Sequence, residues 1–407
     1  MRIKSRDNTG LSPGKISWKK FRSGKVAMLS LIWISINVVI AILGYLITPD
    51  STPYANHQQL ELRTKAPGFS VKTLMLTKNQ ESSSRNFLNT MLFGNPLKKA
   101  YYPLHSYQVE GCYIRIYSYS GDAEIPGVER VFNIADIVYP IDSSKKITCK
   151  KDSLIFTHYN GDARIESKDI LFEKVFDSHI SNQKFILGTD QFGRDMLSQL
   201  LIGTRVSLSV GFIAVLISLI AGVCLGSIAG FFRGRADDII VWLINVVWSV
   251  PTLIMVIAIT FAIGKGYWQV FIAVGLTMWV DVARITRGQI ISLREKDFVE
   301  AARSLGINSY RIISKHILPN IYGPLIVISA ANFASAILIE AGLSFLGMGV
   351  QPPVPSWGSM IKENYGYIVL DKAYLAILPG ISIMLMVLSF LMAGNSLRDA
   401  LDKTSVE

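Results

Sequence analysis

Few residues in this chain carry types and spacings that could do chemistry. His57, His105, His158 and His179 are scattered, with no Cys-x2-Cys or His-x3-His spacing, so no metal site is expected. There is no Gly-x4-Gly-Lys-Ser/Thr phosphate loop and no Gly-x-Ser-x-Gly nucleophile turn. No catalytic residue is therefore expected, and any ATP or Mg would be held by another chain. The densest pattern runs Glu300-Ala-Ala-Arg-Ser-Leu-Gly306, then nine residues, then His316-Ile-Leu-Pro-Asn320. Glu295 and Asp297 suit a helix N-terminus and Gly306 a C-terminal stop, which predicts a short helix over Asp297–Leu305. Tyr310–Leu318 reads as a second helix, with Pro319 beginning the next element. Two short helices joined at a glycine make a platform for another protein, with Ala301 and Ala302 offering a flat surface; an ordinary solvated loop is the other reading.

The elements around this loop are apolar. Hydrophobic residues make up 50% of the 407 and charged ones 17%, against about 25% in soluble proteins. Uncharged runs cover Val26–Ile47 (22 residues), Val206–Phe232 (27), Ile239–Gly264 (26) and Ala373–Leu397 (25). A bilayer core takes about 20 helical residues. Gly266–Val280 reaches that length only with Asp281 and Arg284, and Ile317–Ile339 ends at Glu340. The expectation is an all-α polytopic membrane protein with six transmembrane helices. The first apolar run is too long for a signal peptide and no small-x-small site follows it. Residues 1–25 carry eight basic residues against Asp7, which places that end in the cytoplasm. Six alternating spans then bring Arg233, Arg235, the stretch from Arg284 to Lys315, Arg398 and Lys403 to the same side. A topology signal accounts for the net charge of +11 without nucleic acid.

Residues 48–187 form an inserted extracytoplasmic domain between helices 1 and 2, with 17 basic and 15 acidic residues. Cys112–Tyr119 alternates as a strand and Gly121-Asp122 turns it. Leu154–Tyr159 leads into Asn160-Gly161, a type I′ hairpin signal. The domain therefore reads as β-rich, with residues 50–100 left unassigned. Cys112 and Cys149 either pair or stay as buried thiols, and Cys224 reads as a small packing residue.

Within the spans, Gly222, Gly226 and Gly230 repeat every four residues, with Ser218 one turn earlier, a stripe for close helix contact or a pathway lining. Pro251 should kink its helix. Asp281 and Arg284 share a helix face, where a charge at mid-membrane costs about 2.5–3.5 kcal/mol. Mutual pairing lowers that cost; contact with a substrate or gate is the alternative. Glu340 reads either as an interfacial carboxylate or as a cavity-facing one, and Trp357 as a headgroup anchor.

Glu-Ala-Ala-x3-Gly with the downstream Leu318-Pro319 resembles the EAA signature of permease subunits of bacterial ABC importers. His316-Ile-Leu-Pro-Asn320 is similar to the oligopeptide and dipeptide branch. Leu187-Gly-Thr-Asp-Gln-Phe-Gly-Arg-Asp195, Gly203-Thr-Arg-Val-Ser-Leu208, Glu340-Ala-Gly-Leu-Ser-Phe-Leu-Gly347, Gln351-Pro-Pro-Val-Pro-Ser-Trp-Gly358 and Leu397-Arg-Asp-Ala-Leu-Asp402 agree with it in order. The resemblance covers residues 187–402 plus span one, and it implies a permease core over 188–402 followed by a short tail, 403–407. It also implies a second homologous permease, two ATPase subunits docked on the coupling loop at 297–320, an extracytoplasmic binding protein and a peptide substrate. Glu300 would be the polar contact, Ala301 and Ala302 the packing surface, Gly306 the break, and Leu318-Pro319 the end of the loop. The setting would be a bacterial inner membrane with both termini cytoplasmic. The same branch moves nickel and other small solutes. Two other classes stand beside it: a membrane-anchored receptor acting through residues 48–187, and a secondary transporter, which would favour inverted repeats not visible here.

Overall fold

The computed structural model describes residues 13–79, 86–122, 124–142, 144–264 and 266–401. Arg2, Lys4, Arg6, Asp7, Asp402, Lys403 and the tail 403–407 lie outside them. In chain order the elements are α1 (Pro13–Ser23), α2 (Lys25–Ile47), β1 (Ser70–Thr77), α3 (Phe87–Phe93), β2 (Lys99–Glu110), β3 (Tyr113–Tyr119), β4 (Pro126–Asn133), α4 (Ile134–Val138), β5 (Thr148–Cys149), β6 (Ser153–Thr157), β7 (Ala163–Ser167), α5 (Lys168–Ser178), β8 (Ile180–Lys184), α6 (Met196–Phe232), α7 (Arg235–Trp248), α8 (Thr252–Ile263), α9 (Tyr267–Leu293), α10 (Asp297–Ser304), α11 (Ser309–Arg311), α12 (Leu318–Phe345), α13 (Trp357–Asn364) and α14 (Tyr374–Leu401). The chain divides into two compact units: residues 1–41, 203–365 and 376–407, and residues 42–202 with 366–375.

The first unit is helical. α2, α6, α9, α14 and the continuous helix Ser309–Phe345 are each long and apolar enough to cross a membrane. The expected third span differs. It is two helices, α7 and α8, bent by 95° at Ser249–Pro251. Pro251 has no N–H to donate and precedes the first residue of α8, so it divides the run where a kink was expected. Among the described residues the spans are thus five continuous helices plus one broken pair. α1 is an addition: a basic helix whose Phe21 packs with Ala27 and Ala400.

The glycine stripe of α6 is a packing surface. A Cβ at Gly222 would lie 2.5 Å from Val282 Cβ, one at Gly226 2.5 Å from the Ala283 carbonyl oxygen, and one at Gly230 2.9 Å from that of Arg287. Each successive turn of α6 therefore meets a successive turn of α9 at backbone distance. Cys224, on the other side of α6, is exposed rather than packed. Trp357 is buried against Gly203, so it fills the helical core and does not anchor a loop at a headgroup.

The second unit is α+β. An antiparallel sheet runs β4-β3-β2-β1-β8, and a smaller one runs β5-β6-β7. Both sheets are small, so β-rich overstates the domain. Leu74, Ile114 and Ile116 of the larger sheet share one core with Leu154 and Phe156 of the smaller and with Leu171 and Val175 of α5. Cys112 and Cys149 are joined by a disulfide across 37 positions, between the β2–β3 turn and β5. The β6–β7 hairpin forms as expected, but through a five-residue loop closed by His158 N–H donating to the Asp162 carbonyl. Gly161 alone in it has positive φ, +92°, so the two-residue type I′ turn is not used.

Leu187–Asp195 is a buried hydrogen-bonded loop. Asp190 accepts from the Phe192 and Arg194 N–H groups and, at 2.6 Å, from Arg194 Nε. Asp195 Oδ2 accepts from Ser198 N at 2.8 Å and caps α6. Gly188 and Gly193 take positive φ where a side chain would strike the backbone of Lys65 and Gln59.

Candidate functional site: the loop between α9 and α12

α10 begins with Asp297 and Glu300 in its first turn and carries Arg303 in its last, the arrangement a helix dipole favours. It ends in a Schellman motif. Gly306 (φ +73°) donates to the Arg303 carbonyl at 2.9 Å, and Ile307 N–H donates to that of Ala302 at 3.1 Å. The break expected at Gly306 is therefore present, set by a conformation that L side chains rarely adopt.

The two alanines separate. Ala301 and Glu300 are exposed. Ala302 is buried with Val299 in an apolar cluster with Phe231, Ile290, Ile312 and Ile317. Residues three apart share a helix face, so 299 and 302 point into this chain's own core and 298, 301 and 305 point away. Ala302 thus holds α10 in place and offers nothing to a partner, contrary to its expected role. Sequence reasoning missed three exposed apolar residues: Phe298, Leu305 at 80% and Tyr310 at 78% exposure. Their signal is visible in hindsight, since α10 carries two apolar stripes and one eight-residue helix needs only one for its core.

The second helix also differs. α11 continues through a π-helical stretch, Ile312–Ile317, into α12, giving one helix of 37 residues. Leu318 N–H reaches back five residues to the Ile313 carbonyl. The wider turn accommodates Pro319, which lacks an N–H and would press on the carbonyl four residues earlier in a regular α-helix. Leu318 is half-buried and Pro319 exposed, both inside this helix and not at its start. Charged contacts fasten the base of the loop. Arg287 binds Asp237 through Nε (2.6 Å) and Nη2 (2.8 Å), Arg233 pairs with Glu295 at 2.9 Å, and Arg294 donates to the Phe231 carbonyl at 2.6 Å. The Arg303 guanidinium lies 5.0 Å from the Phe231 ring.

The three candidate pathway residues are not brought together. Asp281 lines a cavity of about 350 Å³ with Trp248, Thr277, Asn332 and Ser335. Arg284 is exposed, and its guanidinium stacks 3.4 Å above the Trp248 ring centre. The expected Asp281–Arg284 ion pair does not form among the described residues, because the broken α7 presents an aromatic face that takes the guanidinium. Glu340 is fully buried, neither interfacial nor cavity-lining, and accepts from Ser344 Oγ at 2.6 Å. Ser356 lies 3.3 Å from that same hydroxyl, so the carboxylate ties α12 to the N-terminus of α13.

No group of three or more His, Cys, Asp or Glu residues capable of holding a metal occurs among the described residues.

Residues 222–405 match the family of binding-protein-dependent transport system inner membrane components, and residues 12–67 match the N-terminal TM domain of oligopeptide transport permease C. The di/tripeptide transport system permease protein DppC of Pseudomonas aeruginosa (strain UCBPP-PA14) is 41% identical over 54% of this chain and 72% of its own length. The glutathione transport system permease protein GsiD of Pectobacterium atrosepticum is 39% identical over 53% and 71%. The oligopeptide transport system permease protein OppC of Bacillus subtilis (strain 168) is 38% identical over 53% and 70%. Among solved structures, the inward-facing MetNI methionine ABC transporter aligns with a TM-score of 0.43 at 19% identity, over 51% of this chain and 98% of that one.

Proposed function

Because the chain belongs to the family of binding-protein-dependent transport system inner membrane components, we propose that it forms half of a translocation pathway for di- or oligopeptides. A second homologous permease supplies the other half, two ATPase subunits supply ATP and Mg, and an extracytoplasmic protein delivers the peptide. The chain itself performs no catalysis.

The single observation that carries the coupling role is the exposed face of the α10 loop. Glu300, Ala301, Phe298, Leu305 and Tyr310 present an apolar patch with one carboxylate, held by Val299 and Ala302 below and broken rigidly at Gly306. Burying such a patch under an ATPase lets closure of the nucleotide sites move a stiff element, the two-state coupling that import requires. The half-buried Asp281 in its cavity is the pathway group we assign to a substrate ammonium. Three of the relatives above are named for di/tripeptides, glutathione and oligopeptides, which supports a small peptide over nickel or another solute. A single-anchor receptor has no use for five membrane-length helices and a broken sixth.

The test is uptake of a radiolabelled tripeptide into proteoliposomes containing the purified complex. Tyr310→Ser with Leu305→Ser should abolish uptake and release the ATPases, with the chain still folded. Normal uptake in that variant would refute the coupling role, and uptake of nickel in place of peptide would refute the substrate.

A further inference from the structure

Residues 42–202 hold a cavity of about 540 Å³ lined by their own side chains alone. In β1, Leu74 points into the core of this unit, so Thr73 and Met75 point to the opposite face of the larger sheet. Antiparallel pairing sets Lys99 against Thr77, Tyr101 against Met75, Ser181 against Thr73 and Gln183 against Val71, so these four share that opposite face. They form the floor of the cavity, and the loops at 49–52 and 95–98, with His57 and Asp195, form its walls. The His57 ring lies 4.7 Å from that of Tyr101, which seats the first loop on the sheet.

The lining is short of donors on one side. Asp195 is 6% exposed; its Oδ2 is committed to Ser198, while its Oδ1 accepts no hydrogen bond. Ser198 Oγ donates to that Oδ2 and accepts from Asp50 N–H at 2.9 Å, which holds the two acids close together. Asp50 is fixed in turn by Thr52 N–H on Oδ1 at 2.9 Å and His57 N–H on Oδ2 at 3.1 Å. Thr52 Oγ1, also on the cavity, and the neighbouring Gln59 Oε1 are buried with no partner. All three unpartnered atoms are oxygens able to accept, and buried acceptors ordinarily have a donor. The Asp195 carboxyl stands above its usual range, first through burial and further through Asp50 and Asp190, and a cation beside it would relieve both effects. Another part of the same lining carries the opposite charge: Lys98, Lys99 and Lys184, with Lys98 and Lys184 exposed.

We propose that this cavity binds a short zwitterionic peptide, its ammonium held by Asp195 and Asp50 and its carboxylate by the three lysines. A simple anion would meet the two acids and a simple cation the lysines, so one small molecule carrying both charges fits the whole lining. The volume falls within the range of small-molecule sites and leaves room for two or three residues. The site is distinct from the Asp281 cavity, which belongs to the helical unit, and it does not depend on which solute crosses the membrane.

Equilibrium binding of radiolabelled Ala-Ala to the full chain in its complex, in nanodiscs, tests this, with no extracytoplasmic protein added and Asp281→Asn silencing the pathway cavity. Saturable binding is expected. Lys98→Ser with Lys99→Ser should weaken it about tenfold, the worth of one hydrogen bond to a charged group. Asp195→Asn should weaken it at least as much; because Asp195 also caps α6, the lysine pair carries the test if that variant does not fold. N-acetyl-Ala-Ala and Ala-Ala amide should each compete about tenfold more weakly than Ala-Ala, since each lacks one charge. Absence of saturable binding would overturn the proposal, as would binding indifferent to the lysine substitutions and to both blocked peptides. A complex that binds Ala-Ala in this way yet imports no peptide would uphold this site and refute the proposed transport role.

Discussion

The alanines at 301 and 302 are adjacent in sequence and opposite in role, which makes them separable by substitution. Ala302→Asp places an unpaired carboxylate among Val299, Ile312 and Ile317 and should cost upwards of about 3 kcal/mol of stability, lowering the melting temperature of the purified chain. Ala301→Asp should leave melting unchanged and weaken retention of the ATPases on a column. The glycines of α6 separate in the same way. Gly226→Val would drive its Cβ into the Ala283 carbonyl, and the overpacking should cost about 1–3 kcal/mol. Gly288→Ala, on α9 with open space around it, should stabilise by about 0.4–1 kcal/mol in the same assay. Residue spacing alone makes the glycine stripe legible, because a four-residue repeat of glycines has few uses other than close approach. The inward turn of Ala302 is not legible from Glu-Ala-Ala read as a unit; it follows from the i, i+3 relation to Val299. Arg284 is misread for a further reason: its partner Trp248 becomes a neighbour only through tertiary packing. Glu340 is misread because its burial is set by tertiary packing, although Ser344 lies one turn on in the same helix.

At the scale of elements, span positions are legible because membrane helices must satisfy their backbone internally and so need long uncharged runs. The break at Ser249–Pro251 is legible only as a kink at the proline; its 95° extent is not, since hydropathy averages across it. The outer domain shows the same division. β3 and the β6–β7 hairpin follow from alternation and turn residues, while β1 and α3 fall in the stretch that carries no pattern. Two predictions belong to this domain. Cys112→Ser with Cys149→Ser should destabilise it by about 2–4 kcal/mol, seen as faster amide exchange in β3 and β6. His57 and His179 are both held below their usual 6.5, chiefly by burial. The unfolded chain then binds more protons than the folded one, so the domain should lose stability as pH falls through 6.5. Burial pushes the Asp136 and Asp195 carboxyls up, and their protonation opposes that loss at lower pH. His57→Gln with His179→Gln should flatten the melting curve between about pH 7 and 5.

For the whole molecule, the question is how a helical membrane unit does work. The proposed coupling is mechanical. The chain presents one exposed apolar patch on a short, capped helix, fastened through Arg287–Asp237 and the Val299–Ala302 cluster to helices of membrane length. On the proposed function, an ATPase that grips this patch would move the spans with it. Native mass spectrometry of the complex should show one copy of this chain, one second permease and two ATPases. The most direct measurement is site-specific photocrosslinking from Leu305 and Tyr310 in the assembled complex, with and without ATP. The account predicts strong crosslinks from both positions to an ATPase subunit, changing in yield when ATP binds. Crosslinks to lipid or to nothing, in a complex that still retains its ATPases, would contradict it.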